Sequence, residues 1–541
     1  MPSAHLDTFA RDRLPPPDRL PRFVFALPEL QFPEQMNCAG ELLDRWVAAG
    51  QGERLCIVGT APDGTTPIRW TYAELRARAN RIANVLTRQM GLVPGNRVLL
   101  RGANSPMLAA CWFGVVKAGG IAVGTMPLLR ARELVTIAGK AQITHALVDA
   151  RLAEELDLAR PNCPTLAKVL SFNGDGGLEA AMAAESDAFT NVDTAADDIC
   201  VIAFTSGTTG QPKAALHFHR DVMAACACWP RHVLKAVPDD IVIGSPPLAF
   251  TFGLGGLLLF PLSIGAAAAL VERVTPDALP AAIARHRATI LYTSPTAYRA
   301  MAATIRQHDT ASLRKCVSAG EALPAATRML WKDTTGIEII DGIGSTEMLH
   351  IFISATEEQA RGGATGYVVP GYVACVMDDA GNPLPPGQVG RLAIRGPTGC
   401  KYLDDERQTS YVRDGWNYSG DAYLIDPADG QFVYQARTDD MIVSGGYNIG
   451  GPEVEGALLL HPAVAECGVI GVADAERGQI VKAFVVLKPG HAGDAAMAKT
   501  LQDFVKATIA PYKYPRAIEF RDQLPRTETG KLQRFKLREM H

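Results

Sequence analysis

Short apolar runs alternate along this chain with stretches of helical periodicity. Thr71 and Glu74 form a capping-box pattern, and Leu75, Ala79, Ile82 and Leu86 follow at helical spacing until about Gly91. Arg97–Arg101 then reads as a strand, Met107–Ala118 as a helix and Ile121–Thr125 as another strand. Between 195 and 345 the alternation returns, with apolar runs at Ile199–Phe204, Ile241–Gly244, Thr289–Thr293 and Lys315–Ser318. Several are separated by helix-length segments, a pattern that predicts parallel sheets covered by helices. From about 364 the texture changes to strands punctuated by glycine and proline, in the run GYVVPGYVACVMDDAGNPLPPGQVGRLAIRG, which predicts β-structure with tight turns. A last unit starts near 438: Pro452 opens a helix with Glu453 and Glu455 in its first turn, and strands at Val464–Val472 and Lys482–Leu487 precede a helix around 498–509.

The expected fold is therefore α/β. A large N-terminal domain of helix-covered sheets with a β-rich subdomain spans 1–437, and a small α+β domain spans 438–541, the boundary falling between Arg437 and Asp440. The proline-rich residues 14–33 read as an extended arm over the surface.

A length of 541 residues leaves room for about three to four domain-sized units. With 48% hydrophobic and 20% charged residues, the composition excludes disorder and leaves ample material for packed cores. Lys and Arg number 53 against 57 Asp and Glu, a net charge of −4 that gives no footprint for nucleic acid or an anionic membrane. The 11 cysteines show no CxxC and no zinc spacing, so buried thiols in a reducing compartment are expected. Ser245 to Val271 carries no charge and is long enough to span a bilayer, but Pro246, Pro247, Pro261 and four glycines interrupt it. A buried helix and strand are expected there. With no basic and apolar leader at the N-terminus, a cytoplasmic location is expected.

The strongest local signal is Thr205-Ser206-Gly207-Thr208-Thr209-Gly210-Gln211-Pro212-Lys213, directly after an apolar strand. Such a turn offers backbone N–H and hydroxyl donors, lets the main chain approach an anion closely and adds a lysine's charge, which is phosphate-cradling chemistry. It is not the Walker pattern, and taken alone it also fits a surface hairpin.

The run TSGTTGQPK resembles the phosphate loop of the adenylate-forming superfamily of acyl- and aryl-CoA synthetases, peptide-synthetase adenylation domains and luciferases. Ser318-Ala319-Gly320-Glu321 and Gly344-Ser345-Thr346-Glu347 resemble that family's adenine-side and metal-side segments. Tyr418-Ser419-Gly420-Asp421 is similar to its ribose segment, Arg437-Thr438-Asp439-Asp440 to its hinge, and Pro525-Arg526-Thr527-Glu528-Thr529-Gly530-Lys531 to the loop carrying its catalytic lysine. The resemblance implies ATP, Mg²⁺ and coenzyme A as partners. Glu347 would hold the metal, a hard cation that prefers carboxylate and phosphate oxygens. Thr346 would touch the α-phosphate, Asp421 and Arg437 the ribose, and Ala319, Gly320, Glu321, Asp341 and Ser345 would complete the nucleotide site together with Thr205, Lys213 and the loop between them. Lys531 would bridge the acid and the α-phosphate. Singly, Asp421 also fits a turn cap, Arg437 a surface ion pair and Lys531 a solvated tail lysine.

The implied chemistry has two steps: a carboxylate attacks the α-phosphorus of ATP with loss of pyrophosphate, and the thiol of coenzyme A then displaces AMP. In the family the C-terminal domain is mobile and rotates between the steps. Asp439 matches the hinge, and Gly445 and Gly446 would face the pantetheine arm. The runs DGIGSTEMLHI, from Asp341, and YNIGGPEVE, from Tyr447, are most similar to the benzoate-type aryl-CoA ligases, although most relatives carry an aromatic residue where Ile343 stands. Matching places Thr251, Phe252, Ala319, Gly344, His350 and Ile351 around the acid, a lining that suits a flat ring. Thr251-Phe252 stands where Ala-Tyr is expected in benzoate ligases. Thr251 or His350 could accept from an ortho-amino group, so 2-aminobenzoate is the expected acid with benzoate as competitor. The alternatives are an aryl-adenylating enzyme that loads a carrier-protein thiol, and a silent nucleotide-binding scaffold. Monomer and homodimer both remain open, and neither a nucleic-acid nor a membrane partner is expected.

Overall fold

The capping box foreseen at Thr71 opens the first long helix. Thr71 Oγ1 accepts from the Glu74 amide at 3.2 Å and Glu74 Oε2 accepts from the Thr71 amide at 2.8 Å, which satisfies two otherwise orphaned donors of the helix Tyr72–Asn84. The cap contributes about 1 kcal/mol, whereas the buried face of Leu75, Ala79, Ile82 and Ala83 fixes where the helix sits. It packs with the almost wholly buried helix Pro106–Lys117 in the principal core cluster. This computed structural model describes residues 3–540 apart from 206–211, 273, 439, 445–446, 475, 528–529 and the side chain of Asn448.

Four sheets organise the described residues. One has six strands in the order Lys168–Phe172, His145–Asp149, Arg97–Arg101, Ile121–Thr125, Ile199–Thr205 and Lys213–Phe218, parallel except for the last pair. A second has nine, running Tyr367–Val368, Ile351–Ser354, Ile339–Gly344, Lys315–Ser318, Ile290–Thr293, Ile241–Gly244, Ala267–Ala269, Leu55–Thr60 and Pro67–Thr71. Its centre is parallel and its ends antiparallel. Strands buried on both faces explain why they read as unbroken apolar runs rather than as alternations.

The Gly/Pro-punctuated region forms an antiparallel sheet of Val373–Met377, Gly390–Arg395, Trp416–Ile425, Val412–Arg413 and Phe432–Arg437. Sheet membership changes after Arg437, because Ile442–Ser444 pairs with Tyr447–Ile449 and Gly478–Leu487 in the last sheet. That sheet is completed by Val464–Asp474 and Ala517–Phe520; the helices Gly451–Leu459 and Ala495–Thr508 pack with it in one apolar cluster, and Leu537 of Arg534–Glu539 packs in another with Ile470, Val472 and Phe484. Glu453 does sit in the first turn of Gly451–Leu459, but Glu455 does not. Its carboxylate instead accepts from Arg534 at 2.6 Å and from the Val469 amide at 2.8 Å.

The uncharged run 245–271 folds into helical turns over Thr251–Ser263 and the strand Ala267–Ala269, nearly all buried. Among the described residues no helix is long and apolar enough to cross a membrane. The proline-rich arm follows the antiparallel sheet, with Arg22 and Val24 amides donating to Gly415 and Gly396 carbonyls at 2.9 Å each, and Leu30 buried. All 11 cysteines are free, and all but the half-buried Cys375 are buried.

Candidate active site

The phosphate-loop signal falls between two antiparallel strands in which Thr205 pairs with Lys213. Ser206, Gly207, Thr208, Thr209 and Gly210 lie outside the described residues. At the rim of the loop, Lys213 Nζ donates to the Tyr402 hydroxyl at 3.2 Å, and that hydroxyl donates in turn to Glu347 Oε1. Tyr402 comes into reach because 401–403 pairs alongside the strand Lys213–Phe218: the Leu216 amide donates to the Lys401 carbonyl at 2.8 Å and the Leu403 amide to Ala214 at 2.9 Å. Burial and the neighbouring Glu347 charge push the Tyr402 pKa far above its ordinary value, so the phenol stays protonated as a donor.

Ser345, Thr346, Glu347 and His350 all lie on the turn joining Ile339–Gly344 to Ile351–Ser354, whose antiparallel register sets Gly344 opposite Ile351. A side chain at Gly344 would place its Cβ 2.7 Å from the His350 carbonyl, so only glycine closes this turn. Leu349 adopts a left-handed φ of 68° while buried, a conformation that costs a β- or γ-branched residue about 1–3 kcal/mol and is held by its surroundings. The turn is braced from behind: Ser345 Oγ lies 3.0 Å from the Tyr411 hydroxyl, and Thr398 Oγ1 donates to the Met348 carbonyl at 2.8 Å. Deeper still, Lys401 Nζ and Asp221 Oδ2 form a fully buried ion pair at 2.8 Å. Burial beside that lysine pulls the His217 pKa down to about 4, leaving its imidazole neutral.

Ala319, Gly320 and Glu321 follow the strand Lys315–Ser318, in register with Asp341 on the next strand. Burial raises the Asp341 pKa to about 6 against the lowering approach of Ser318 and the Gly342 amide, and its buried Oδ1 makes no hydrogen bond of normal geometry among the described residues. On the antiparallel sheet Asp421 pairs with Arg437, whose Nη1 donates to Asp421 Oδ1 at 3.3 Å and to the Ser419 carbonyl at 2.9 Å. Gly420, at φ 77°, leaves room for this guanidinium, since a Cβ there would lie 2.7 Å from Nη2.

The last sheet brings Lys531 into the same cleft. Its Cε lies 3.5 Å from where a Cβ on Gly320 would be. The side chain is solvent-reachable yet hemmed in by protein, and desolvation lowers its pKa against the raising effect of Glu321, Asp421 and Glu347. Asp439, Gly445 and Gly446 lie outside the described residues.

The expected acid pocket is partly assembled. His350 sits among rings, with centroid distances of 4.4 Å to Phe260 and 5.6 Å to both Phe252 and Trp229, and Tyr292 lies 5.7 Å from Phe252. Burial lowers the His350 pKa to about 3, opposed by a loose approach to the Phe252 backbone, and neither ring nitrogen makes a hydrogen bond of normal geometry. Trp229 Nε1 and the Tyr292 hydroxyl are likewise buried without partners among the described residues. Ile351 and Ala319 are buried and Gly344 is exposed. Thr251 is the outlier: it faces a small cavity of about 30 Å³ together with Gly124, Ala203 and Leu248, while Phe252 turns towards His350.

Tyr402, Tyr411, Trp229, Phe260 and Tyr292 carried no motif signal, because each meets its partner through the crossing of distant strands and turns. Arg526 stood inside a recognised segment without a role.

The AMP-binding enzyme family profile matches residues 44–401, and the AMP-binding enzyme C-terminal domain profile matches 453–531. A benzoate–CoA ligase of Thauera aromatica is 37% identical over 519 residues, covering 94% of this chain and 97% of that protein. Among solved structures, the anthranilate CoA ligase AuaEII in complex with anthranoyl-AMP superposes with a TM-score of 0.90 at 35% identity, covering 95% of this chain and 99% of that one. A benzoate CoA ligase from Burkholderia xenovorans LB400 gives 0.84 at 34% identity, covering 93% and 100%.

Proposed function

Because this chain belongs to the AMP-binding enzyme family, we propose that its acid is a benzoate bearing a polar ring substituent, with 2-aminobenzoate preferred over benzoate. It is an AMP-forming acid–CoA ligase that activates an aryl acid with ATP. The observation that carries the choice of acid is a set of buried polar atoms that make no hydrogen bond of normal geometry among the described residues: the nitrogens of His350, Trp229 Nε1 beside it, and the Tyr292 hydroxyl, whose ring neighbours Trp229 and Phe252. A buried donor or acceptor left unsatisfied costs about 1–3 kcal/mol, and a ring substituent that satisfies one recovers that energy where an unsubstituted benzoate does not. The similarity to a ligase solved with anthranoyl-AMP, the adenylate of 2-aminobenzoate, supports the same acid.

In the first step a carboxylate oxygen attacks the α-phosphorus of ATP, the bond to pyrophosphate breaks, and an aryl-adenylate forms. Lys531, held at Gly320, would donate to the carboxylate and the α-phosphate as charge shifts between them. Lys213 stands at the rim of the phosphate loop, Asp421 and Arg437 suit the ribose hydroxyls, and the unpartnered Asp341 oxygen suits an amino donor on the adenine. The buried Glu347 carboxylate, aimed by Tyr402, fits a hard cation, and Mg²⁺ bound there would neutralise phosphate charge. In the second step the thiolate sulfur of coenzyme A attacks the carbonyl carbon and AMP leaves. Lys531 must withdraw for this step. The change of sheet between Arg437 and Ile442 is where we place the hinge, with 1–437 and 438–541 as the two moving parts.

The test is AMP release with ATP and Mg²⁺ over benzoate, 2-aminobenzoate, 4-hydroxybenzoate, cinnamate and a medium-chain fatty acid, with and without CoA. CoA-dependent AMP fastest with 2-aminobenzoate is the expected result. Benzoate at an equal or higher kcat/KM would remove the polar-substituent reading. Pyrophosphate exchange without CoA-dependent turnover would point to a carrier-protein acceptor.

A further inference from the structure

Arg526 lies five residues before Lys531, on the same loop, and its guanidinium faces four partners. On its own side of the hinge, Nε and Nη2 donate to Glu466 Oε2 at 3.3 and 2.9 Å, and Nη1 donates to the Gly530 carbonyl at 2.6 Å. On the other side, Nη1 reaches Thr296 Oγ1 at 3.4 Å and stands 3.9 Å from Glu321 Oε1. Thr296 Oγ1 in turn donates to Glu321 Oε2 at 2.9 Å. The loop itself is closed by a bridge between Arg526 and Leu532, by the Thr527 amide on the Lys531 carbonyl at 2.7 Å and by the Lys531 amide on Thr527 Oγ1 at 3.0 Å. The two cations therefore meet adjacent residues of the facing strand end: Lys531 at Gly320, Arg526 at Glu321.

We propose that Arg526 is a positioning residue that holds the Lys531 loop over the acid-activating site by engaging Thr296 and Glu321. The proposal rests on the acid-activating reading given above. Glu466 and the Gly530 carbonyl fix the rigid fork of donors before the two halves meet, so little freedom is lost when it reaches Thr296 and Glu321. Burial of the Glu321 carboxylate, which raises its pKa, gives that carboxylate a need for a cation which Arg526 supplies. The contacts across the hinge, at 3.4 and 3.9 Å, are longer than the two closest ones within the small domain, at 2.6 and 2.9 Å. Such a contact biases the first pose and still lets it open, whereas a tight buried pair would trap the enzyme before thioester formation.

The experiment separates the two half-reactions in the full-length chain. Adenylation is read as ATP–pyrophosphate exchange and the second step as thioester formation from a synthetic aryl-adenylate and CoA, using whichever acid the unaltered chain activates best. A different best acid would revise the substrate and leave the positioning role under test. Arg526→Gln is expected to slow exchange at saturating ATP by about ten- to a hundred-fold, since misplacing a reacting group by an ångström costs that much. It should leave the second step within about two-fold. Arg526→Lys should recover part of the loss and Thr296→Ala show a smaller one. Exchange at the unaltered rate, or equal slowing of both half-reactions, would overturn the proposal.

Discussion

The Tyr402 hydroxyl donates to Glu347 Oε1 in a buried contact and accepts from Lys213 at 3.2 Å. A chain of hydrogen bonds thus links the rim of the loop proposed to cradle phosphate to the carboxylate proposed to hold the metal. Groups that orient a ligating carboxylate typically change metal affinity by 10–100-fold when removed. Tyr402→Phe keeps the ring, including its edge contact with Tyr411 at 5.9 Å, and removes only the hydroxyl. The Mg²⁺ concentration for half-maximal adenylation should rise about ten-fold, while thermal stability falls by only a few degrees, as expected for one hydrogen bond of about 1 kcal/mol in a chain this size. An unchanged Mg²⁺ requirement would reduce Tyr402 to a packing residue.

Behind that chain, Lys401 and Asp221 form an ion pair with both side chains fully buried. The Lys401 ammonium also lies 4.6 Å from the Phe218 ring centre, and Asp221 accepts from the Phe218 amide at 3.0 Å. Removing one member strands the other charge in a low-dielectric core. Lys401→Met should therefore lower stability by about 3–5 kcal/mol, and adding Asp221→Leu should return much of it. Urea denaturation of the two single variants and the double variant checks this. Additive losses would show that the two charges do not support each other.

The alternation of apolar runs was enough to foresee the helix-covered parallel sheets, because strands buried on both faces leave no polar residues to interrupt them. The linear motifs singled out Lys213, Glu347, Asp421 and Lys531 as candidates, and the fold brings their segments to one cleft. Tyr402 was not legible, since its role depends on 401–403 lying beside a strand nearly two hundred residues earlier. Nor were Trp229 and Tyr292, which carry no motif and stand out only where the fold sets Trp229 beside His350 and Tyr292 beside Phe252 with their polar atoms unpartnered among the described residues. Thr251 and Phe252, matched as a pair, diverge in the fold. Adjacent residues on a helix point about 100° apart, and Thr251 borders a small cavity with Gly124 and Leu248 while Phe252 stands beside His350.

Lys531 has a pKa lowered by desolvation. In the catalytic role proposed for it the working form is the cation, so adenylation should be lost as pH rises through that depressed value, earlier than for an ordinary lysine near 10.4. Bound ATP and acid are anions and push the value back up. The alkaline limb should therefore be visible in kcat/KM, which reports the free enzyme, and weaker in kcat. Lys531→Arg should move the limb out of range while reducing the rate. The same limb in both enzymes would assign it to another group.

Asp341 combines a pKa raised to about 6 with an oxygen that makes no hydrogen bond of normal geometry among the described residues. The folded state holds a proton more tightly than the unfolded chain, so this group's stabilising contribution is complete below about pH 3.8 and is lost as pH rises to about 6. At neutral pH the ionised carboxylate is a net cost on the order of 3 kcal/mol, from roughly two pKa units at 1.36 kcal/mol each. Asp341→Asn should therefore stabilise the protein at pH 7.5, and the gain should shrink at pH 5. If the carboxylate is retained to accept from the adenine amino group, the same variant should raise the KM for ATP several-fold, a stability gained at the expense of function. Thermal melts at the two pH values, paired with ATP titrations of adenylation, separate the effects. Destabilisation at pH 7.5 with an unaltered KM for ATP would make Asp341 a structural carboxylate and leave the adenine without its proposed acceptor.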